Sequence, residues 1–184
     1  MIRRVLLFSF LFSSIAAVAQ VAPSANGGYA ALWVGGEYSS YNPDYGPRRI
    51  EGAGAYVDFN LTRKIGAVGE ARWMDWGGIG GQNERDYLAG GKYRFYQWHK
   101  FSLNGKVLAG GVWITFPNGV GSGSYFAFAP GGFVDYRVSR RFSIRGDYEY
   151  QFIRSAPNIP FEPNNGMTPD GFSVGVAYRI LGVR

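Results

Sequence analysis

From Phe142 to Phe152 the chain alternates without a break. Phe142, Ile144, Gly146, Tyr148, Tyr150 and Phe152 take the even positions, and Ser143, Arg145, Asp147, Glu149 and Gln151 take the odd ones. A period of two is strand geometry, because successive side chains of a strand point to opposite faces. One face is therefore aromatic and the other charged. A slip of one residue would exchange them, so a single register is tolerable wherever either face is enclosed.

The same rhythm returns along the chain. Eight runs follow, at roughly 28–41, 50–60, 65–76, 85–97, 101–116, 124–138, 142–154 and 171–181, each bounded by turn residues. Their connections alternate in length. Residues 61–64 (LTRK), 98–100 (WHK) and 139–141 (SRR) are tight turns, whereas 42–49, 77–84, 117–123 and 155–170 are longer. The last of these carries Pro157, Pro160, Pro163 and Pro169, which predicts an extended, stiff loop. An even-stranded meander with this alternation predicts an all-β chain, an eight-stranded antiparallel up-and-down transmembrane β-barrel with short periplasmic turns and longer extracellular loops. The 28 glycines and 14 Phe, 13 Tyr and 5 Trp agree with β structure.

The amino terminus reads as a secretory signal peptide at residues 1–19. Arg3 and Arg4 are its basic start, Val5 to Ile15 its apolar core, and Ala17-Val18-Ala19 a small-residue cleavage site. The run is short for a membrane-anchoring helix. Cleavage removes two positive charges, so the formal net charge of +6 becomes +4. Residues 20–27 read as a periplasmic linker and 28–184 as the barrel domain. With no cysteine, a disulfide framework, a thiolate metal site and a cysteine nucleophile are all excluded.

Sorting the runs by parity gives a polar face with six acids, Glu37, Asp58, Glu70, Asp135, Asp147 and Glu149. The same face carries seven bases, Arg72, Lys92, Arg94, Lys106, Arg137, Arg145 and Arg179. Near-balance of this kind suits charges that face one another inside a narrow barrel, where an unpaired charge costs several kcal/mol. These thirteen residues are the expected lumen ion-pair network. Small residues such as Gly35, Gly52, Gly54, Gly90, Gly110, Gly175 and Ala177 share that face and make room for them. Aromatic residues collect near the run ends, where they suit the two lipid–water interfaces. Pro130 lacks an N–H in the sixth run, and beside Gly131 and Gly132 it predicts a local bulge.

The segments GGFVDYRVSRRFSIRGDYEY and GFSVGVAYRI resemble the last three strands of small eight-stranded outer-membrane barrels. The resemblance is to the outer-membrane-protein-A-like transmembrane domain and its outer membrane protein beta-barrel relatives. It implies a barrel surrounded by outer-membrane lipid and inserted by the outer-membrane assembly machinery, with the final strand as insertion signal. Such a signal usually ends in an aromatic residue; here Tyr178-Arg179-Ile180 fits, and Leu181-Gly182-Val183-Arg184 runs past it. The peptidoglycan-binding domain of some relatives is not expected, so a cell-wall tether is unsupported.

Chemistry finds little footing. Some barrels of this kind modify lipid A, and a deacylase would need serine, histidine and an acid together. The single histidine, His99, lies in a tight turn. One histidine without cysteine makes no credible metal site, and no cofactor is expected. Asp147 and Glu149, flanked by Arg145, read as ion-pair partners rather than an acid–base pair. GGIGG and GVGSG lack the Lys-Ser/Thr of a phosphate-binding loop. Arg63, Lys64, Lys100, Arg140 and Arg141 lie in tight turns and suit anionic headgroups rather than nucleic acid.

The expectation is therefore a non-enzymatic outer-membrane barrel, a monomer or an oligomer, with a structural or interaction role and a lumen plugged by salt bridges. A low-conductance channel or small-solute porin is the alternative, and an exported soluble ligand-binding β-barrel the third.

Overall fold

A computed structural model describes residues 30–45, 48–156 and 166–182. The expected signal peptide, the linker at 20–27 and three of the four prolines of the last long loop lie outside the described residues. Eight strands follow in order: β1 (Ala31–Asn42), β2 (Ile50–Asn60), β3 (Ile65–Trp76), β4 (Asn83–Trp98), β5 (Phe101–Thr115), β6 (Ser122–Arg137), β7 (Phe142–Tyr150) and β8 (Asp170–Gly182). Each pairs antiparallel with its sequence neighbours, and β1 pairs with β8, which closes the barrel. Closure leaves no free sheet edge.

Alternation decides what each strand buries. In β7, Ser143, Arg145, Asp147 and Glu149 are buried, while Phe142, Ile144, Tyr148 and Tyr150 are exposed. In β8, Ser173, Gly175 and Ala177 point in, and Phe172, Val174, Val176 and Tyr178 point out. The barrel is thus polar and charged along much of its inside and apolar on its outside. Part of the inside is apolar as well. Val68, Leu88, Leu108, Val112, Ile114, Ala127, Ala129 and Phe133 form one buried cluster on the β3–β6 side.

The tight turns use a shared device. Thr62 Oγ1 accepts from the backbone N–H of Lys64 (3.2 Å) and Ile65 (2.9 Å). Ser139 Oγ does the same for Arg141 (3.2 Å) and Phe142 (3.1 Å). Such side-chain-to-backbone bonds are the usual reason for Ser and Thr in turns. His99 supports the remaining turn with a positive φ of 51° and an edge-on contact to Trp98.

Two local expectations differ from the structure. Pro130 makes no bulge: β6 pairs with β5 without a register shift through Val107↔Pro130. Its missing N–H falls on the β7 side, where the ladder stops at Gly131↔Glu149 and resumes in the same register at Phe128↔Phe152. Regular β7 accordingly ends at Tyr150 rather than 154. The register shifts lie elsewhere, at Leu32/Trp33, Glu51/Gly52 and Arg94/Tyr96. The last explains how Phe95 and Tyr96, adjacent in sequence, are both strongly exposed.

Candidate functional site

The lumen holds two ion-pair clusters. The first centres on Arg72 of β3, whose side chain is fully buried. Its Nε donates to Glu37 of β1 (3.3 Å) and its Nη1 to Glu149 of β7 (2.9 Å). Nη1 also lies 3.5 Å from Asp86 of β4, and Nη2 contacts Glu70 on its own strand. Lys106 of β5 joins the same acids, with Nζ 2.7 Å from Glu70, 2.8 Å from Glu149 and 2.9 Å from Asp147. Tyr41 lies beneath the Arg72 guanidinium at 5.0 Å and donates its hydroxyl to Glu149. Five strands, β1, β3, β4, β5 and β7, are thereby tied through two cations and their shared carboxylates.

The second cluster lies nearer the tight turns. Arg145 of β7 holds Asp135 of β6 through Nε (2.8 Å) and Nη2 (3.2 Å), and also contacts Asp58 of β2. Lys92 of β4 pairs with Asp58 at 2.5 Å. The Arg145 guanidinium is sandwiched between Phe133 (3.8 Å) and Tyr56 (4.4 Å). Planar stacking on rings is a particular capacity of arginine.

Of the thirteen residues expected in the network, ten form these pairs. Arg94, Arg137 and Arg179 do not. They are half-buried or exposed at the tight-turn mouth, because the inward parity of β4, β6 and β8 continues past the level at which the barrel encloses its contents. Arg94 bonds instead to the Arg63 carbonyl, Asn60 and Gln97, and Arg179 lies 5.9 Å over Trp33.

Sequence reasoning missed two acids, Glu84 and Asp86, both buried on β4. Their parity with Lys92 was the available signal; starting the run at 85 left Glu84 out, whereas Asp86 lay inside the run and was not counted. Inside the barrel the carboxylates then outnumber the cations, and the near-balance is recovered only with the three mouth arginines included. The charges are also segregated along the axis. Glu37, Glu70, Glu84, Asp86, Asp147 and Glu149 occupy the middle and the long-loop half, with only Arg72 and Lys106 among them. The tight-turn half holds Asp58 and Asp135 against five cations.

The long-loop end is closed by Tyr45, Phe116, Ile153, Ala156 and Met167, which extend the apolar cluster over the lumen. Tyr45 packs edge-on against Phe116 and donates to Glu84 at 3.4 Å. Burial, and then the neighbouring Glu84 carboxylate, push the Tyr45 phenol well above its ordinary range. Asp44 accepts from the Thr168 N–H (2.8 Å) and hydroxyl (3.0 Å), linking the first and last long loops. The Asn118 N–H donates to the Gly80 carbonyl (2.9 Å), linking the second and third.

A closed barrel of eight strands with charges inside and rings outside has the architecture of a transmembrane β-barrel, and solved structures agree. The chain is similar to the outer membrane protein OprG from Pseudomonas aeruginosa, with 11% identity over 84% of this chain and 98% of that one, and a TM-score of 0.58. It is similar to the N-terminal β-barrel domain of Pseudomonas aeruginosa OprF, with 13% identity, 84% and 100% coverage, and a TM-score of 0.57. It is also similar to Ail, the attachment invasion locus protein of Yersinia pestis, with 17% identity, 83% and 99% coverage, and a TM-score of 0.51. The fold is that of the small eight-stranded outer-membrane β-barrels. No protein-family model and no curated protein matches the sequence.

Proposed function

We propose that the chain is an integral outer-membrane protein, exported through a signal peptide at residues 1–19, with a structural or interaction role and no enzymatic activity. The observation that carries this reading is the inverted distribution of polarity. Arg72 is fully buried among four carboxylates, while Val57, Trp73, Val107, Trp113, Ile144 and Val176 are exposed. A soluble barrel gains its stability by burying such an apolar face; here that face needs lipid. Rings such as Trp73, Tyr87 and Trp113 near the long loops, and Trp98, Phe101, Tyr136 and Phe142 near the tight turns, suit the two interfaces. The tight turns then face the periplasm and the long loops the exterior. Ion pairs and the apolar lid fill the lumen, which favours a plug over a pore. The described parts of the long loops, joined through Asp44–Thr168 and Asn118–Gly80, supply a surface for a partner.

The test combines two measurements on the expressed protein. Membrane fractionation should recover it with outer membranes, and the folded form should migrate differently from the boiled form on a gel. Recovery as a soluble periplasmic or secreted protein would reject the proposal. Planar-bilayer recording should give no stable, sizeable openings; if it does, the channel reading replaces the plug.

A further inference from the structure

At the tight-turn end a vestibule of about 420 Å³, counting the part open to solvent, is bounded by Arg94, Lys100, Arg137 and Arg145, with Trp33 and Phe101 as apolar walls. The space in it that can take a water-sized sphere is about 30 Å³, enough for at least one water molecule or oxyanion oxygen. Two acids also line it, Asp58 and Asp135, and both are engaged by Arg145. Among the described residues Arg94 bonds to neutral acceptors and makes no ion pair. Arg137 makes no ion pair among the described residues. One donor stands out. Arg145 is 3% exposed, its Nε and Nη2 are bonded to carboxylates, and its Nη1 is buried with no hydrogen-bond partner. A buried N–H of a charged group left without an acceptor is costly, and the Arg94 Nε shares that condition.

An acceptor with negative charge answers all of these features together. We infer that the tight-turn mouth binds a small oxyanion, a phosphate group, held by Arg94 and Arg137 in the vestibule whose wall Arg145 completes. Arginine forks match the geometry of phosphate oxygens. The phosphate could come from a free ion or from a lipid headgroup at the adjacent interface. Only its assignment to the periplasmic side rests on the outer-membrane reading; the binding chemistry does not.

The test uses the full barrel refolded in non-ionic detergent, with folding checked by heat-dependent gel mobility. Inorganic phosphate and a soluble short-chain phosphatidylglycerol are titrated separately, read by ³¹P line width and calorimetry. The double variant R94Q/R137Q should bind at least tenfold more weakly than the parent. Arg85→Gln, on the outer face near the long loops, should bind like the parent. Binding of phosphate with that loss identifies a free ion as the source; binding of the lipid alone with the same loss identifies the headgroup. Equal binding by parent and double variant overturns the proposal, as does no binding of either probe by a folded parent. A folded barrel that binds neither probe leaves the membrane reading intact, and a chain recovered as a soluble protein defeats that reading without touching this one.

Discussion

Removing the Arg72 side chain should be among the most damaging single changes available to this barrel. Arg72→Met keeps much of the side-chain volume and deletes the charge. Lys106 still serves Glu70, Glu149 and Asp147, but it pairs with neither Glu37 nor Asp86, whose only ion pairs among the described residues are to Arg72. Breaking a buried pair by removing one partner costs about 3–5 kcal/mol. The folded-to-unfolded ratio then falls roughly 10²- to several 10³-fold. With an unfolding slope of about 2 kcal/mol per molar urea, the midpoint moves down by about 2 M. The measurement is urea unfolding of the barrel in lipid vesicles, followed by tryptophan fluorescence and gel mobility. Arg137→Met is the control; it stands exposed at the mouth and should change stability by no more than about 0.5 kcal/mol. A cycle pairing Arg72→Met with Glu149→Gln should return a coupling of about 1–3 kcal/mol. If Arg72→Met shifts the midpoint no further than Arg137→Met, the lumen network is not what holds the strands in register, and the reasoning fails.

Three further outcomes are expected. Gly35 faces the Tyr56 ring so closely that a Cβ there would lie 2.4 Å from Cζ, whereas at outward Gly36 the nearest atom is 3.8 Å away. Gly35→Val should therefore cost about 1–3 kcal/mol and recover partly with Tyr56→Ala, while Gly36→Ala should be near neutral by thermal gel-shift. Val176→Arg puts a cation on the outer face of β8, and in vesicles should cost about 2–4 kcal/mol; a cost near zero would mean that this face meets water. Because the folded Tyr45 phenol is held above its ordinary value near 10, its contribution is present at neutral pH and should be withdrawn as pH rises beyond about 10. Tyr45→Phe should flatten that alkaline loss, checked by unfolding midpoints measured across the alkaline range.

Period-two patterning carries much of this fold because each strand is read independently by its faces. Arg145, Asp147 and Glu149 could be assigned inward from β7 alone, and connection lengths supplied the up-and-down order. The bulge at Arg94/Tyr96 was less legible, since Phe95 and Tyr96 break alternation by one residue in a segment aromatic on both sides. Pro130 misled for the opposite reason. A missing N–H can be absorbed by leaving one pair of the ladder open, and the sequence does not say which neighbour that N–H would have faced.

Height along the barrel axis is the harder quantity, and the lumen's charge separation depends on it. Parity tells which residues face inward; it does not tell which strand's Glu meets which strand's Arg. That requires the register of all eight ladders at once, and the closing β1–β8 pair constrains their sum. Thus Arg72 and Glu149, 77 positions apart, meet at 2.9 Å, while Arg94 and Arg137, equally inward by parity, end at the mouth without an ion pair among the described residues. A count of acids and bases integrates over the axis and returns near-balance. The folded barrel divides that balance into an acid-rich half beneath the long loops and a cation-rich half at the tight turns. Arg145 pairs with Asp58 and Asp135 and also stands in the wall of the vestibule, so the residues that plug the barrel in its middle and those that could hold a ligand at its mouth belong to one continuous charged face.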